Sequence, residues 1–202
     1  MNKTKTIIAT IARVLLGVVF VFSGLVKAVD PLGTTYKIED YLKAFGGFFN
    51  DLMPLAGAAA VCLIALEFLL GVCLLCNVRT QWTSWITLAF YCVMTPLTLY
   101  IAIANPVSDC GCFGDALVIT NWQTFWKNVV LIVLAIVLVV LRRNVRTFWH
   151  WYMELAIAAL AVAAVSGLML YTHLHLPLLD FRPYKVGNNI VELMEYPEDA
   201  AP

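Results

Sequence analysis

The sequence predicts an all-α integral membrane protein, and three features carry that reading. Apolar residues make up 62% of the 202 residues and charged residues only 13%, with a mean hydropathy of +0.85. A soluble domain of this length cannot hide so much apolar surface. Apolar runs long enough to cross a bilayer, about 20 residues at about 1.5 Å each, recur along the chain. Between them, arginines concentrate in short connections, as in chains that thread a membrane repeatedly. The formal net charge is zero, which argues against a nucleic-acid partner.

The first span runs from about Ile7 to Val29. It is too long for the apolar core of a signal peptide, and Lys27 and Asp30 stand where small residues of a cleavage site would be expected. The stretch PLGTTYKIEDYLKAFGGFFNDLMP follows. Its Tyr36, Ile38, Tyr41, Leu42, Phe45, Phe48 and Phe49 suggest an amphipathic helix lying at the membrane surface and capping the bundle, broken at Gly46–Gly47. The second span, about Leu55 to Cys76, carries Glu67. The third, about Trp82 to Ala104, contains Pro96, which frees backbone groups and can bend the helix around a cavity. The fourth runs from about Trp122 to Leu141 and the fifth from about Trp149 to His173, the latter opening on the aromatic anchor FWHWYME. Residues 1–178 thus read as a five-helix transmembrane domain. The polar, acidic, proline-bearing tail over 179–202 reads as an extended linker, and its YPEDAAP as an approach to a further segment.

Charge orients the chain. The loops after the second and fourth spans hold Arg79 and then Arg142, Arg143 and Arg146 without an acid. The N-terminal segment holds Lys3, Lys5 and Arg13. The expected orientation is N-terminus inside and C-terminus outside. The motif DCGCFG at Asp109–Gly114 then faces the exterior or periplasm, where disulfides persist.

Cys110 and Cys112 flank one glycine, which permits a very small disulfide ring because glycine adopts dihedrals closed to other residues. Such a ring is expected to be strained and readily reduced, which favours an exchanging pair over a staple. A nearby cation would promote the attacking thiolate, and Lys27 and Lys127 are the candidates. Asp109 opposes thiolate formation but can take or give a proton during exchange. Two other readings stay open: a structural disulfide, with Cys62 as one partner, and a metal clip. The clip is disfavoured because a closed zinc site wants four ligands and only His173 and His175 offer help. Cys73 and Cys76 have CxxC spacing but sit at the far end of the second span and read as packing residues, as does Cys92 in mid-membrane.

Glu67 falls near the middle of its span, where a carboxylate costs about 2.5 kcal/mol or more. Gly71, one turn on, lets a neighbouring helix approach. Glu67 is therefore expected to face the bundle, as a neutral hydrogen-bonded group or as a proton acceptor, with Ser23, Thr95 or Thr98 as partners. Lys27 shares a helical face with Ser23. It is expected to snorkel to the headgroups or, more sharply, to pair with Asp30 or Asp109. Trp122, Trp126 and Tyr91 are belt and core residues that could also line a quinone headgroup pocket. Glu154 is expected to face the bundle or the interface.

The segments FVFSGLVKAVDP, ALEFLLGVCLL and DCGCFG, in that order over about Ile11 to Leu141, resemble the DoxX/MauE group of small bacterial membrane proteins. More closely, the chain is similar to Bacteroidetes DoxX-family proteins with an extra fifth helix and a periplasmic tail. The resemblance implies a DoxX-like four-helix transmembrane bundle in the bacterial inner membrane, with the fifth helix added. It also implies a link to periplasmic thiol or sulfur redox chemistry and a thioredoxin-like partner. The expected function is thiol–disulfide redox or electron transfer through Cys110, Cys112 and Asp109, with Ser23, Lys27, Glu67 and Lys127 as auxiliary groups and a quinone as a candidate cofactor. The alternative is a non-catalytic anchor or assembly subunit whose CGC pair is a staple. A small-solute transporter is disfavoured by unequal helices and the lack of an inverted repeat.

Overall fold

A computed structural model describes residues 3–105, 111–112, 117, 119–145 and 149–175. The expected tail over 179–202, and Asp109 and Cys110 of the thiol motif, lie outside the described residues. The described residues are helical without strands. Five helices are long and apolar enough to cross a membrane, and exposed large apolar side chains run along all five, among them Ile11, Val18, Ile86, Val93, Val133 and Leu160. An apolar exterior of this kind is stable only against lipid, so the protein is a multi-pass membrane protein.

Helix α1 spans Lys3–Val29, about 40 Å at 1.5 Å per residue. Asp30 then caps α2, Pro31–Phe45: its carboxylate accepts a hydrogen bond from the Gly33 amide at 2.9 Å, and Pro31 occupies the first turn. This is the expected surface helix. It buries only Thr34 and ends at Gly46, whose φ of 63° favours glycine. A 3-10 helix over Gly47–Leu55 leads into α3, Ala56–Leu75. A tight turn with Asn77 and Arg79 in left-handed backbone reverses the chain into α4, Thr80–Ala104. Helix α5, Asn121–Leu141, starts from a capping box between Thr120 and Gln123. A short 3-10 segment, Arg142–Asn144, precedes α6, Trp151–Leu174. The expected spans are present, shifted at their ends by a few residues.

Helix α1 is the centre of the bundle. It packs most extensively on α3 and also on α5 and α6, while α4 packs mainly on α5. The α1–α3 pair is close because glycines remove the side chains at the crossing. A Cβ on Gly24 would lie 2.8 Å from the Phe68 amide nitrogen, and one on Gly71 would lie 2.5 Å from that of Val21. Small residues let backbones approach in this way in membranes, where packing rather than water exclusion drives association. Leu16, Phe20, Leu70, Leu74, Tyr91 and Leu138 form the main core between α1, α3, α4 and α5. A second cluster of Ala28, Ile64, Val165 and Met169 seats α6 on α1 and α3.

The two ends of the bundle differ in chemistry. At the end bearing the N-terminus, the buried Arg13 guanidinium donates to the carbonyls of Leu74 and Leu75, adding a donor to the acceptors at the C-terminus of α3. Glu154 is buried there, as one of its two expectations had it, and accepts from Arg79 Nε at 2.8 Å. At the opposite end, Asn121 Nδ2 donates to Asn105 Oδ1 at 2.8 Å, tying the start of α5 to the end of α4, and Thr172 Oγ1 donates to the Ala28 carbonyl at 3.2 Å.

Candidate functional site: a buried ion pair at a cavity beside Cys112

The antiparallel α1 and α3 bring one face of α1 against Glu67. Ser23 and Lys27 are one turn apart on that face. The close approach at Gly24, which meets Phe68, and at Gly71, which meets Val21, brings the neighbouring Glu67 carboxylate within reach of Ser23 and Lys27. Lys27 Nζ donates to Glu67 Oε1 and Oε2, each at 2.7 Å, and to Ser23 Oγ at 3.1 Å. All three ammonium protons are thereby used. Lys27 and Glu67 are each 5% exposed.

The Ser23 hydroxyl lies 2.8 Å from Glu67 Oε2 and 2.8 Å from the carbonyl oxygen of Cys112. A hydroxyl has one proton, so Ser23 donates to one of these acceptors at a time. It is the joint between the buried ion pair and the thiol-bearing segment. Gly111, immediately before Cys112, has φ +60°, and a Cβ there would meet the Lys37 side chain at 3.1 Å. The left-handed backbone and the lysine stem together select glycine at the middle of the CGC sequence.

Ser23, Lys27, Glu67, Gly111 and Cys112 line a cavity of about 340 Å3. Lys37 and Tyr41 of α2 contribute to its wall, together with Lys127 and Asn128 of α5. Phe20, Phe90, Tyr91, Met94 and Leu97 supply apolar and aromatic surface. Phe20 meets Phe90 edge-on at 5.1 Å and Tyr91 at 5.3 Å. Asn128 Nδ2 donates to Thr98 Oγ1 at 3.2 Å across α4 and α5. Such a volume lies in the range of small-ligand sites, about 300–1,000 Å3.

Of the residues singled out from the sequence, Ser23, Lys27, Glu67, Cys112 and Lys127 all line this cavity; Asp109 and Cys110 lie outside the described residues. Several expectations are corrected. Lys27 does not snorkel, because its ammonium meets a carboxylate within the bundle before it can reach the headgroups. Asp30 does not pair with it, being engaged at the start of α2. Glu67 takes Ser23 and Lys27 as partners rather than Thr95 or Thr98. The Thr98 hydroxyl donates back to carbonyls of its own helix, and Thr95 Oγ1 is buried without a partner. Trp122 and Trp126 are exposed, so of the three aromatic candidates only Tyr91 lines the cavity. Cys62 is a free, exposed thiol and not a disulfide partner. Cys92, expected in the core, is also exposed, whereas Cys73 is buried. His175 stacks on Tyr171 at 4.6 Å, and among the described residues no cluster of His, Cys, Asp or Glu has the make-up of a metal site.

Sequence reasoning missed Gly17 and Gly24 on α1 and gave no site role to Arg13 or to the cavity residues Lys37, Tyr41 and Asn128. A spacing of seven between the two glycines of an apolar helix was the available signal for the first pair. The others are ordinary surface types in sequence and acquire a role only through packing.

Comparison with known proteins gives one family. The family model of the methylamine utilisation protein MauE matches residues 5–141, which run from the start of α1 to the end of α5 and include every lining residue of the cavity. Comparison with curated proteins and with solved structures finds no match.

Proposed function

From the premise that this chain belongs to the MauE family, we propose that it is a thiol–disulfide redox protein of the bacterial inner membrane. It acts through Cys110 and Cys112 on a thioredoxin-like partner in the periplasm. The observation that carries this reading is the hydrogen bond from Ser23 to the Cys112 carbonyl, which joins the cysteine segment to the buried Lys27–Glu67 pair. Charged groups in a membrane interior are expensive and mark function by default, and here they support the backbone of a cysteine. The acid-free arginine loops support the periplasmic orientation.

In the proposed reaction, a thiolate of the reduced partner attacks the Cys110–Cys112 disulfide. A mixed disulfide forms and one cysteine of the chain leaves as a thiolate. The partner's second thiolate then attacks the mixed disulfide. The partner departs oxidised and the chain holds two thiols, so two electrons have passed to the chain. Lys27, fixed 2.7 Å from Glu67, forms with it a pair that is neutral in sum and anchors Ser23. Ser23 holds the loop rather than titrating.

Single-cysteine variants test the reading. With Cys112→Ser, or with Cys110→Ser, the remaining thiol has no resolving neighbour. A reductant-sensitive band of partner size is expected on a non-reducing gel for one of the two. A membrane-impermeant maleimide should label the motif in reduced spheroplasts without permeabilisation. If neither variant traps a partner and the double serine variant supports normal thiol oxidation, the protein is instead a membrane anchor or assembly subunit with a structural loop.

A further inference from the structure

The cavity beside Cys112 has one wall that the helices leave incomplete. Helices α3 and α4 meet only sparsely, and α2 reaches α4 only at its end, where Phe45 stacks on Tyr100 at 5.2 Å. The lining residues on either side of that gap are Ala59 and Leu63 of α3 and Met94 and Leu97 of α4. Ala59 is exposed and the other three are half-buried. All four are apolar, and they lie within helices whose outward faces meet lipid. The gap lies on the side of the bundle whose helices expose apolar residues to lipid.

We propose that this cavity binds a membrane quinone: a flat ring with two carbonyl oxygens and an apolar tail. It enters between α3 and α4 and accepts the two electrons held by the reduced cysteines. This inference rests on the thiol-redox reading for its reaction but not for its binding site.

Three properties of the cavity select that ligand class. First, most of its lining surface is apolar and the α3–α4 gap faces lipid, so the ligand partitions into the membrane. Second, Phe20, Phe90 and Tyr91 present aromatic surface. A planar ring packs there with edge and face contacts worth more than area alone. Third, the polar lining groups are mostly ones that donate. Lys37, Lys127, Tyr41 and Asn128 carry N–H or O–H protons, and Glu67, the only carboxylate among the described lining residues, is already held by Lys27 and Ser23. Donors recognise carbonyl oxygens, and a lysine ammonium has three protons, so one protein partner does not exhaust it. The volume of about 340 Å3 suits one substituted ring and the start of its tail, with the rest of the tail lying in the α3–α4 gap.

The reaction closes without another reagent. Two thiols lose two electrons and two protons as the sulfur–sulfur bond forms. The quinone takes both electrons and a proton on each oxygen and leaves as the hydroquinone. Cys112 lines the same cavity that would hold the ring, so the donor and acceptor share one compartment. The disulfide that the partner consumes is restored.

The test uses the full chain purified in lipid nanodiscs. Binding of a fully substituted decyl-benzoquinone is measured by equilibrium dialysis, with decanoate as a competitor. Saturable binding at one site per chain is expected. Leu63→Trp and Leu97→Trp, which fill the entrance from opposite sides, should each weaken it at least 10-fold while Gly167→Ala, where an added Cβ meets nothing within 4 Å, leaves it unchanged. Either tryptophan variant suffices if the other does not fold by circular dichroism. Absence of saturable binding, binding indifferent to both tryptophans, or stronger displacement by decanoate than by unlabelled quinone overturns the inference. The two proposals separate cleanly. A trapped partner without quinone binding removes this site alone, whereas quinone binding without any trapped partner leaves the site standing and removes the exchange reaction.

Discussion

Replacing Lys27 with methionine is the sharpest probe of the buried cluster. The side chain keeps its length and apolar stem but loses the ammonium that donates to Glu67 Oε1 and Oε2 at 2.7 Å and to Ser23 at 3.1 Å. Glu67, 5% exposed, then retains only the Ser23 hydroxyl. Breaking a buried pair by removing one member costs about 3–5 kcal/mol, and a lone charge at mid-membrane costs about 2.5–3.5 kcal/mol. The two routes agree near about 3 kcal/mol, or roughly a 100-fold change in the folding equilibrium at about 1.4 kcal/mol per tenfold. Glu67→Gln is milder, because one oxygen still accepts from Lys27, and should cost about 2 kcal/mol. The double variant Lys27→Met/Glu67→Gln removes both charges together and should be more stable than the sum of the two losses predicts, by at least about 1 kcal/mol. Equilibrium unfolding by sodium dodecyl sulfate in mixed micelles, followed by circular dichroism, measures all four species. Single losses within about 0.5 kcal/mol of zero, or strict additivity, would refute the ion pair as a coupled buried unit.

Gly71→Ala and Gly24→Ala insert a methyl 2.5 Å and 2.8 Å from backbone nitrogens of the facing helix; each should destabilise by about 1–3 kcal/mol through overpacking, read as a lowered midpoint in the same titration. By contrast, Gly167→Ala on α6 should be neutral or stabilising by up to about 1 kcal/mol, since alanine is the better helix former. Arg79→Gln should cost less than about 1 kcal/mol: the arginine side chain is 61% exposed, and the Arg79 backbone amide still approaches Glu154 Oε1 at 3.4 Å. Its unfolding midpoint should change less in high salt. In detergent, a small maleimide should modify the exposed Cys62 and Cys92 faster than the buried Cys73, with mass spectrometry of timed samples giving the order.

What the sequence determined by itself is local. Hydropathy over about 20 residues is enough to place a span, so each long helix was legible to within a few residues. The amphipathic pattern from Pro31 to Phe45, with glycines after it, was enough to place a surface helix. The cost of a mid-membrane carboxylate fixed that Glu67 turns inward, because that cost depends on depth and not on which group it meets. Only the tertiary structure decided the partner. Lys27 and Glu67 are far apart in the chain, and nothing near either residue distinguishes a lysine that snorkels from one that pairs within the bundle. That choice was made by Gly24 and Gly71, which bring α1 and α3 close enough for the two charges to meet. The same holds for the cavity. The aromatic rings that look alike in sequence separate into Tyr91, which faces inward, and Trp122 and Trp126, which face lipid. Which way a ring points follows from how each helix is rotated against its neighbours, and that rotation is set by side-chain packing across the whole bundle.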